Sequence, residues 1–597
     1  MDCKKPVLQD GQQTLPFQMK SEAFNLIHQR RSANYEPNIW KCDFLESLDS
    51  IYDEPECKKR AEKLIQDVRS VIFGKAVELD SLAKLELIDS LEKLGLAIHF
   101  EVEIKEALAT IAISIKQKNG NLNGENDLYA TALCFKLLRQ HGYDVSQDMF
   151  SNFMDAKTGA FIRKSKHENI KGMLELLEAS HLALEGENFL DAAREFSTTT
   201  LEETLANLDS FLAKQVIHAL ELPSQKRVQW FDVKWHISVE EKHRDMNAIN
   251  LLELAKLNFN IVQATLRKDL IDTILYHKNQ INDTFLIFIF CVFRWWSNLG
   301  LRENLNFARD RLVESFVFSA GLACEPEHSC FRKWLTKAIN FILIIDDVYD
   351  IYGKLEELEL FTIAVNMWDV SETKLLPECM QICFLALYNT TDDFVNEIQR
   401  EKGWDQLLPV QVKKVWTDFC NALYVEAKWY TTGYTPSLQE YLSNAWISSS
   451  GSVLFAHAFF CLEQKVMKAE EYENFMEKSK DLLYNISVIV RLCNDLGTSS
   501  AEVERGDAPS SIVCYMREKN VSEEMARKHI KGMIDESWKK LNGECLTQMP
   551  MQLMQTFVNI ARAAEGLYHQ GDWFGVQDGD KRNKIKSLLL EPLSCSI

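Results

Sequence analysis

Residues that form tight turns are scarce in this chain of 597 residues, which contains only 23 glycines and 12 prolines. Sheet sandwiches and barrels need frequent turns, whereas long helices need few, so this scarcity favours helices. The chain is also longer than a single hydrophobic core usually organises. The sequence therefore predicts an all-α protein made of two helical domains.

Apolar residues recur at the spacing of one helix face in several stretches. One such face is formed by Leu87, Ile88, Leu91 and Leu94. A second side is lined by Leu251, Leu254 and Ala255, together with the polar Asn258. The stretch 335–345 is apolar almost throughout, which predicts a helix that is buried on all sides.

The helical pattern breaks most clearly near 221–235, where Pro223 stands among polar residues. We therefore divide the chain into a helical N-terminal domain over 30–232 and a helical C-terminal domain over 233–597. Residues 1–29 are interpreted as a flexible N-terminal extension.

The net charge of −20 argues against nucleic-acid binding, which needs a basic surface. The same charge means that an anionic substrate would need bound cations or a local group of arginines. The 15 cysteines show no zinc-binding spacing, so buried free thiols in a reducing compartment are expected.

The sequence shows no targeting segment and no membrane span. The first 29 residues contain three acidic residues, one serine and no arginine, unlike a transit peptide, and they lack the apolar run of a signal peptide. No stretch reaches the ~20 apolar residues that cross a bilayer. We therefore expect a cytoplasmic protein without a membrane span.

Three aspartates, Asp346, Asp347 and Asp350, follow the apolar stretch. On a helix Asp346 and Asp350 lie one turn apart on the same face. Carboxylates this close repel one another unless a cation lies among them, and carboxylate oxygens suit Mg²⁺, which also binds phosphate oxygens. The alternative is a solvated acidic helix end, but the preceding apolar run argues against it.

A second group of oxygen-bearing side chains is formed by Asn494, Thr498 and Glu502, spaced by four residues along one helix face. This stripe suits a further Mg²⁺, although on its own an ordinary polar helix face is the favoured interpretation. Arg491 lies one turn before Asn494 and can meet a phosphate.

Two alternate arginines, Arg309 and Arg311, stand upstream of the aspartates, and Arg311 lies 35 positions before Asp346. Their guanidinium groups can bind diphosphate oxygens through paired hydrogen bonds. A surface patch of salt bridges is the alternative interpretation.

Together these groups resemble the plant terpene synthase family, whose pattern combines DDxxD, an (N/D)DxxSxxxE-type motif and an upstream RxR pair. The RR-x8-W element of that family is also present, as Arg30, Arg31 and Trp40. The resemblance covers nearly the whole chain from Arg30. It looks like the angiosperm branch with monoterpene and acyclic sesquiterpene synthases, and stretches such as VQWFDVKW and ELAKLNFN are most similar to α-farnesene synthases.

The resemblance implies a C-terminal class I terpenoid synthase fold that carries the active site, and an N-terminal α-barrel-like domain whose arginine pair covers the site's mouth. It also implies about three Mg²⁺ ions, for which Mn²⁺ is a possible substitute. The implied metal ligands are Asp346, Asp347, Asp350, Asn494, Thr498 and Glu502. The residues implied to bind and release the diphosphate are Arg309, Arg311 and Arg491.

The implied reaction ionises farnesyl diphosphate, and aromatic faces in a dry pocket then stabilise the allylic cation. The candidate pocket residues are Trp295, Phe316, Phe318, Trp446, Tyr568 and Phe574. No strong side-chain base is evident, so the released diphosphate is expected to take the final proton. Proton loss without cyclisation would give (E,E)-α-farnesene.

Several alternatives remain open at this point. Geranyl diphosphate is the alternative substrate, with ocimene or linalool as product, and nerolidol or isoprene are further alternatives. The class II signature DxDD is absent, so cyclisation started by protonation is not expected. An alternative of another class is an inactive, misfolding synthase-like protein. The resemblance also implies a monomer.

Residues 273–293 do not fit the helical pattern. In the family the helix that ends near Asp272 runs almost directly into Arg294, whereas 21 residues separate the two here, so about 19 are extra. Nine consecutive apolar residues, Phe285 to Phe293, are too few to span a bilayer and rich in β-formers. We interpret the segment as an aberrant insertion from a gene-model error.

Deleting 273–293 with a two-residue join is expected to raise soluble expression and to leave or raise activity, because an exposed apolar β-former promotes aggregation. Soluble yield and turnover of the two proteins, prepared in parallel, measure the effect. A deletion variant that folds but has lost turnover would contradict this interpretation.

Overall fold

The computed structural model describes residues 30–40, 50–70, 80–117, 127–154, 161, 170–243, 249–275, 305, 307–546, 549–569, 571–575 and 577–595. Helices dominate these residues, and the β-type pairing among them is a single isolated bridge between Met154 and Phe161. The predicted all-α fold is confirmed.

Helices of the N-terminal half begin where polar side chains satisfy free backbone N–H groups. Asp80, Asp127 and Asp209 each accept a hydrogen bond from the first turn of the helix that follows. The helices of this half are α1 (Pro55–Val68), α2 (Ser81–Lys93), α3 (Glu101–Gln117), α4 (Leu128–Gln140), α5 (Ile170–Ser180), α6 (Asn188–Thr204), α7 (Ser210–Glu221) and α8 (Gln229–His243).

The C-terminal half continues with longer helices. They are α9 (Ile249–Leu275), α10 (Leu312–Leu322), α11 (Ser329–Asp347), α12 (Leu355–Met367), α13 (Glu378–Lys402), α14 (Leu407–Thr432), α15 (Leu438–Ser448), α16 (Gly451–Leu462), α17 (Ala469–Lys478), α18 (Lys480–Arg505), α19 (Ser511–Lys519), α20 (Glu523–Glu544), α21 (Met551–Tyr568) and α22 (Gly579–Leu589).

Two helices lie at the centre of the C-terminal half and carry the predicted motifs. Helix α11, which contains the apolar stretch 335–345, is buried around most of its circumference and packs against α10 and α16. Helix α18 packs against α20 and α21. The predicted buried helix is therefore present, and it delivers the aspartates at its C-terminal end.

The predicted break near Pro223 falls between α7 and α8. The predicted domain boundary at 232 lies inside α8, which contacts α2 on one side and α9 and α10 on the other. The boundary stays a prediction. Residues 1–29, Trp295 and the segment 276–293 lie outside the described residues, whereas 273–275 continue α9 and Thr273 is fully buried there.

One stretch among the described residues, Leu438–Leu462, is long and apolar enough to cross a membrane by composition, with a mean hydropathy of 1.4. Of its most apolar window, 78% is buried inside the protein. The stretch consists of α15 and α16, separated by a break at which Ser450 has a φ of 66°. Buried core helices have the same composition, so the stretch does not point to a membrane span.

Gly451 allows α16 to approach α18 closely. A Cβ atom at this position would lie 2.1 Å from Ser487 Oγ and 3.1 Å from Ser487 Cα. At such distances the two helices must separate before a side chain fits. The position of α18, and so of its polar stripe, depends on this contact.

Gly451→Ala is expected to lower the midpoint of thermal unfolding, because overpacking of a core contact costs about 1–3 kcal/mol. Gly532→Ala is the matched control, since Gly532 lies within α20 and a Cβ there meets nothing within 4 Å. The control should raise the midpoint, because alanine favours a helix by up to about 1 kcal/mol over glycine. Shifts of the same sign in both variants would contradict the packing argument.

Candidate active site

The first acidic motif lies at the end of α11. Asp346 and Asp347 belong to the last turn of this helix, and Asp350 lies in a short π-helical turn, Val348–Tyr352, that continues it. Asp347 is fully buried, while Asp346 and Asp350 are partly exposed. The Tyr349 hydroxyl is 2.7 Å from Thr362 Oγ1, which anchors the turn to α12. Wide turns of this kind are frequent at functional sites.

The second motif lies along α18. Asn494, Thr498 and Glu502 share one face of this helix, as the spacing predicts. The neighbouring Asp495 is turned inward, where its carboxylate accepts hydrogen bonds from the Tyr441 hydroxyl at 3.0 Å and the Ser511 N–H at 2.9 Å. The inward position of Asp495 separates it from the stripe that faces the first motif.

The carboxylates of the two motifs act on one another. Burial, followed by the charges of Asp346, Glu426, Asp507 and Glu502, raises the pKa of Asp350 well above its usual value. Burial and Asp495 raise the pKa of Glu502 to about 8. Glu502 would therefore hold a proton at neutral pH unless a cation replaced it. The carboxylate oxygen atoms of Asp350 and Glu502 fit Mg²⁺, so the residues present suit the metal implied by the resemblance.

Arg309 is the nearest cation to the first motif. Its backbone N–H and its Nε donate to Asp347 Oδ2 at 2.8 and 3.1 Å, and its guanidinium also pairs with Asp346. Burial nevertheless raises the pKa of Asp347 to about 6. The guanidinium carbon lies 5.1 Å from the centre of the Tyr35 ring, a cation–π distance. Arg309 is therefore held between the two aspartates and an aromatic ring.

Arg311 has different partners from those predicted. It is fully buried, burial lowers its pKa, and it donates to the backbone carbonyls of Glu36, Asp310, Phe574 and Gly575 at 2.9–3.3 Å. The residue thus ties an N-terminal segment to a loop near residue 575. Its contact with diphosphate stays a prediction.

Arg491 lies one turn before Asn494 on α18, as predicted. Its terminal nitrogen donates to Ser448 Oγ at 3.0 Å, and another lies 3.8 Å from Asp495. Its Nε is buried and has no hydrogen-bond partner among the described residues. A buried donor without an acceptor is costly, and an anionic oxygen would satisfy it.

The extended residues 30–40, which we call the strap, lie across the C-terminal domain. Arg30 forms two hydrogen bonds with the Glu357 carboxylate at 2.7 and 2.8 Å. Arg31 donates to the backbone carbonyl of Asp350 at 2.9 Å and pairs with Asp507, which follows α18. One residue of the strap therefore contacts both the last aspartate of the first motif and the segment that follows α18.

The far end of the strap is fixed in the interior. Trp40 is buried, and its indole N–H donates to Glu314 Oε1 at 2.8 Å. Gln577 donates to the same oxygen at 2.6 Å and accepts from the backbone N–H of Ile39 at 3.1 Å. The strap, helix α10 and the loop before α22 thus form one hydrogen-bonded unit.

The candidate pocket aromatics occupy different surroundings. Phe316 and Phe318 are buried on α10, and the ring centres of Tyr568 and Phe574 lie 6.5 Å apart. Tyr568 packs so closely on α18 that a Cβ at Gly497 would lie 3.2 Å from its carbonyl oxygen. Trp446 packs 5.8 Å from Tyr484, an exposed residue. Trp295 lies outside the described residues, and the pocket assignments stay predictions.

Sequence reasoning missed three residues that surround the motifs. Tyr35 lies within the RR-x8-W element, and Asp507 directly follows the glycine that ends α18, so both stood beside recognised features. Glu426 carries no such local signal. It is buried on α14, and burial, partly opposed by Arg491, raises its pKa.

Family models match most of the chain. The model described as "Terpene synthase, N-terminal domain" matches residues 39–220, and "Terpene synthase family, metal binding domain" matches residues 297–540. The second range contains Arg309, both acidic motifs and Arg491.

Two curated relatives match over nearly the full length of this chain. The "Alpha-farnesene synthase" of Ricinus communis is 54% identical over 588 residues, covering 98% of this chain and 99% of that protein. The "(E,E)-alpha-farnesene synthase" of Malus domestica is 55% identical over 587 residues, covering 96% of each.

Two solved structures have the same fold. A limonene synthase with 2-fluorolinalyl diphosphate superposes with a TM-score of 0.87 at 38% identity, covering 95% of this chain and 100% of that chain. The isoprene synthase of grey poplar (Populus x canescens), in complex with three Mg²⁺ ions and dimethylallyl-S-thiolodiphosphate, gives 0.81 at 41% identity, covering 94% of this chain and 100% of that chain.

The raised pKa of Glu502 predicts proton-linked Mg²⁺ binding. Without metal, the folded protein binds this proton more tightly than the unfolded chain, so the group's contribution to stability falls as pH rises from about 4.5 towards 8. Since Mg²⁺ must displace the proton, the half-saturating Mg²⁺ concentration should rise about 25-fold when the pH is lowered from 8.5 to 6.5.

The half-saturating Mg²⁺ concentration is measured from initial rates at saturating substrate in buffers of constant ionic strength. Glu504→Gln, which changes an exposed residue on the same helix, is the matched control and should show the same pH dependence as the unmodified protein. A half-saturating concentration that does not change with pH would contradict the assignment of Glu502.

Proposed function

The chain belongs to the terpene synthase family, and on that premise we propose that it converts farnesyl diphosphate to the acyclic sesquiterpene (E,E)-α-farnesene. As a member of the family it is a carbon–oxygen lyase that acts on a prenyl diphosphate and depends on a divalent metal. The observation that carries the proposal is that both relatives at 54–55% identity, matched over nearly their full length, bear this product in their names.

The other products are not favoured. The limonene and isoprene synthases share the fold at only 38% and 41% identity. Ocimene, linalool, nerolidol and isoprene therefore have weaker support than α-farnesene. An inactive protein is also not favoured, because both motifs and the arginines around them are brought together in the folded chain.

The two motifs would hold the metal through carboxylate, amide and hydroxyl oxygens. In this proposal the ligands are Asp346, Asp347, Asp350, Asn494, Thr498 and Glu502. When bound, Mg²⁺ neutralises negative charge on the diphosphate and makes it a better leaving group. We propose that Mn²⁺ can take its place.

The arginines would receive the leaving group. The buried Nε of Arg491 lacks an acceptor, so it is poised to donate to a diphosphate oxygen. Arg309 lies beside Asp346 and would share the same anion, which keeps the diphosphate from returning to the cation. Arg311 would act on the substrate only after releasing backbone carbonyls that it binds in the structure.

Exclusion of water is the remaining requirement, because a free allylic cation is quenched by water. Through Arg31 the strap binds the first motif at Asp350 and the segment after α18 at Asp507, and its Trp40 is buried at the other end. Aromatic side chains such as Phe316 and Phe318 would stabilise the cation. The released diphosphate would then remove the proton that gives the acyclic product.

We further propose that the enzyme is a monomer and acts in the cytoplasm, where the C15 diphosphate would be its substrate. The net charge of −20 supports this proposal, because like charge keeps proteins soluble and opposes association between copies of the chain.

Incubation of the protein with Mg²⁺ and farnesyl diphosphate should give α-farnesene as the main product in gas chromatography–mass spectrometry. Asp346→Ala should lower turnover by about 10²–10³-fold, because charge on the leaving oxygen would not be neutralised. Asp418→Ala, which removes a partly exposed carboxylate that pairs with Lys414 on the same helix α14, is the control and should keep full turnover. A mainly cyclic product, or faster turnover of geranyl diphosphate, would refute the proposed substrate and product.

A further inference from the structure

A buried polar chain runs behind Arg491 and connects three helices. The Ser448 hydroxyl, at the end of α15, accepts a hydrogen bond from Arg491 at 3.0 Å and donates to the Glu426 carboxylate of α14. Asn444 donates to the same carboxylate oxygen at 3.1 Å and to the Ala422 carbonyl at 3.0 Å. Because Glu426 and Ser448 are both more than nine-tenths buried, water does not compete for these bonds.

The opposite side of Arg491 is also fixed. Asp495 lies 3.8 Å from its guanidinium and is itself held by Tyr441 and by the N–H of Ser511. The guanidinium therefore lies near two carboxylates, one on its own helix and one reached through Ser448. An arginine side chain has many rotamers in water, and this arrangement selects one of them.

The selected rotamer leaves a donor unused. Arg491 Nε is buried and has no partner among the described residues, although Ser448 occupies a terminal nitrogen of the same group. Burial disfavours the Arg491 charge, but Tyr441, Glu426, Asp495 and Asp346 raise its pKa overall. The group is thus charged, held in place and short of one acceptor, which is the state required to bind an anion without further rearrangement.

We propose that Glu426, acting through Ser448, is a positioning residue that holds the guanidinium of Arg491 towards the diphosphate. The inference rests on the proposed function, in which Arg491 binds the leaving group. Neither residue touches the substrate in this account, since the effect passes through the arginine. A purely structural role, in which Glu426 only joins α14 to α15, would leave diphosphate binding unchanged.

The test measures inhibition by inorganic diphosphate at fixed Mg²⁺, which reports binding of the leaving group without the chemical step. Ser448→Ala should raise the inhibition constant roughly tenfold and lower kcat, because Arg491 loses the bond that orients it. Glu426→Gln keeps the size of the side chain, removes its charge and should shift the constant in the same direction by a smaller factor.

Ser443→Ala is the matched control. Ser443 lies on the same helix, but its hydroxyl donates only to the Glu440 carbonyl within that helix. The control should leave the inhibition constant unchanged. Thermal unfolding midpoints identify variants that remain folded, and if Ser448→Ala does not fold, the result with Glu426→Gln decides.

Arg491→Ala, alone and combined with Ser448→Ala, distinguishes the binding of diphosphate by Arg491 from the positioning of Arg491 by Ser448 and Glu426. If the serine acts through the arginine, Ser448→Ala adds nothing once Arg491 is absent. If Arg491→Ala leaves the inhibition constant unchanged, the proposed role of Arg491 fails. Suppose that Arg491→Ala raises the inhibition constant but Ser448→Ala and Glu426→Gln do not; only the positioning role is then overturned. The same conclusion follows if the effects of Arg491→Ala and Ser448→Ala add in the double variant.

Discussion

The burial of several carboxylates in one place is the constraint on which the rest of this structure depends. Carboxylates from the segments of α11, α14 and α18 raise one another's pKa. Among the described residues, the cation that pairs with Asp346 is Arg309. Such a concentration of negative charge is stable only if rigid helices hold it together and cations can enter it. The buried helix α11 and the close packing of α16 on α18 at Gly451 hold the carboxylate-bearing segments in place.

Three arginines near these carboxylates serve different purposes because their acceptors differ. Arg309 bonds directly to the aspartates and is a counter-ion. Among the described residues, Arg311 donates its hydrogen bonds to backbone carbonyls and so joins segments that are distant in the chain. Arg491 bonds to a hydroxyl, and its buried Nε has no partner among the described residues, which is why we propose that it binds an anion.

Local spacing allowed the sequence to predict the helices and the stripe on α18, since periodicity records which face is buried. The metal-binding role expected of Asp346 and Asp350 and the position of Arg491 were predicted from the same spacing, together with the family resemblance. The partners of Arg311 and the contacts of Glu426 could not be predicted this way, because both depend on residues far apart in the chain. The predicted domain boundary at 232 lies within α8, a helix that contacts both earlier and later helices.

The attachment of the strap also sets an order of events during synthesis. Ile39 and Trp40 emerge early, but their partner Gln577 is 538 residues away from Ile39. At about 5–20 residues per second, the ribosome needs roughly half a minute to two minutes to make that partner. Until then Glu314 lacks one of its two donors and the strap has an incomplete docking site. The first described segment to be made therefore gains its last partner only when the chain is nearly complete.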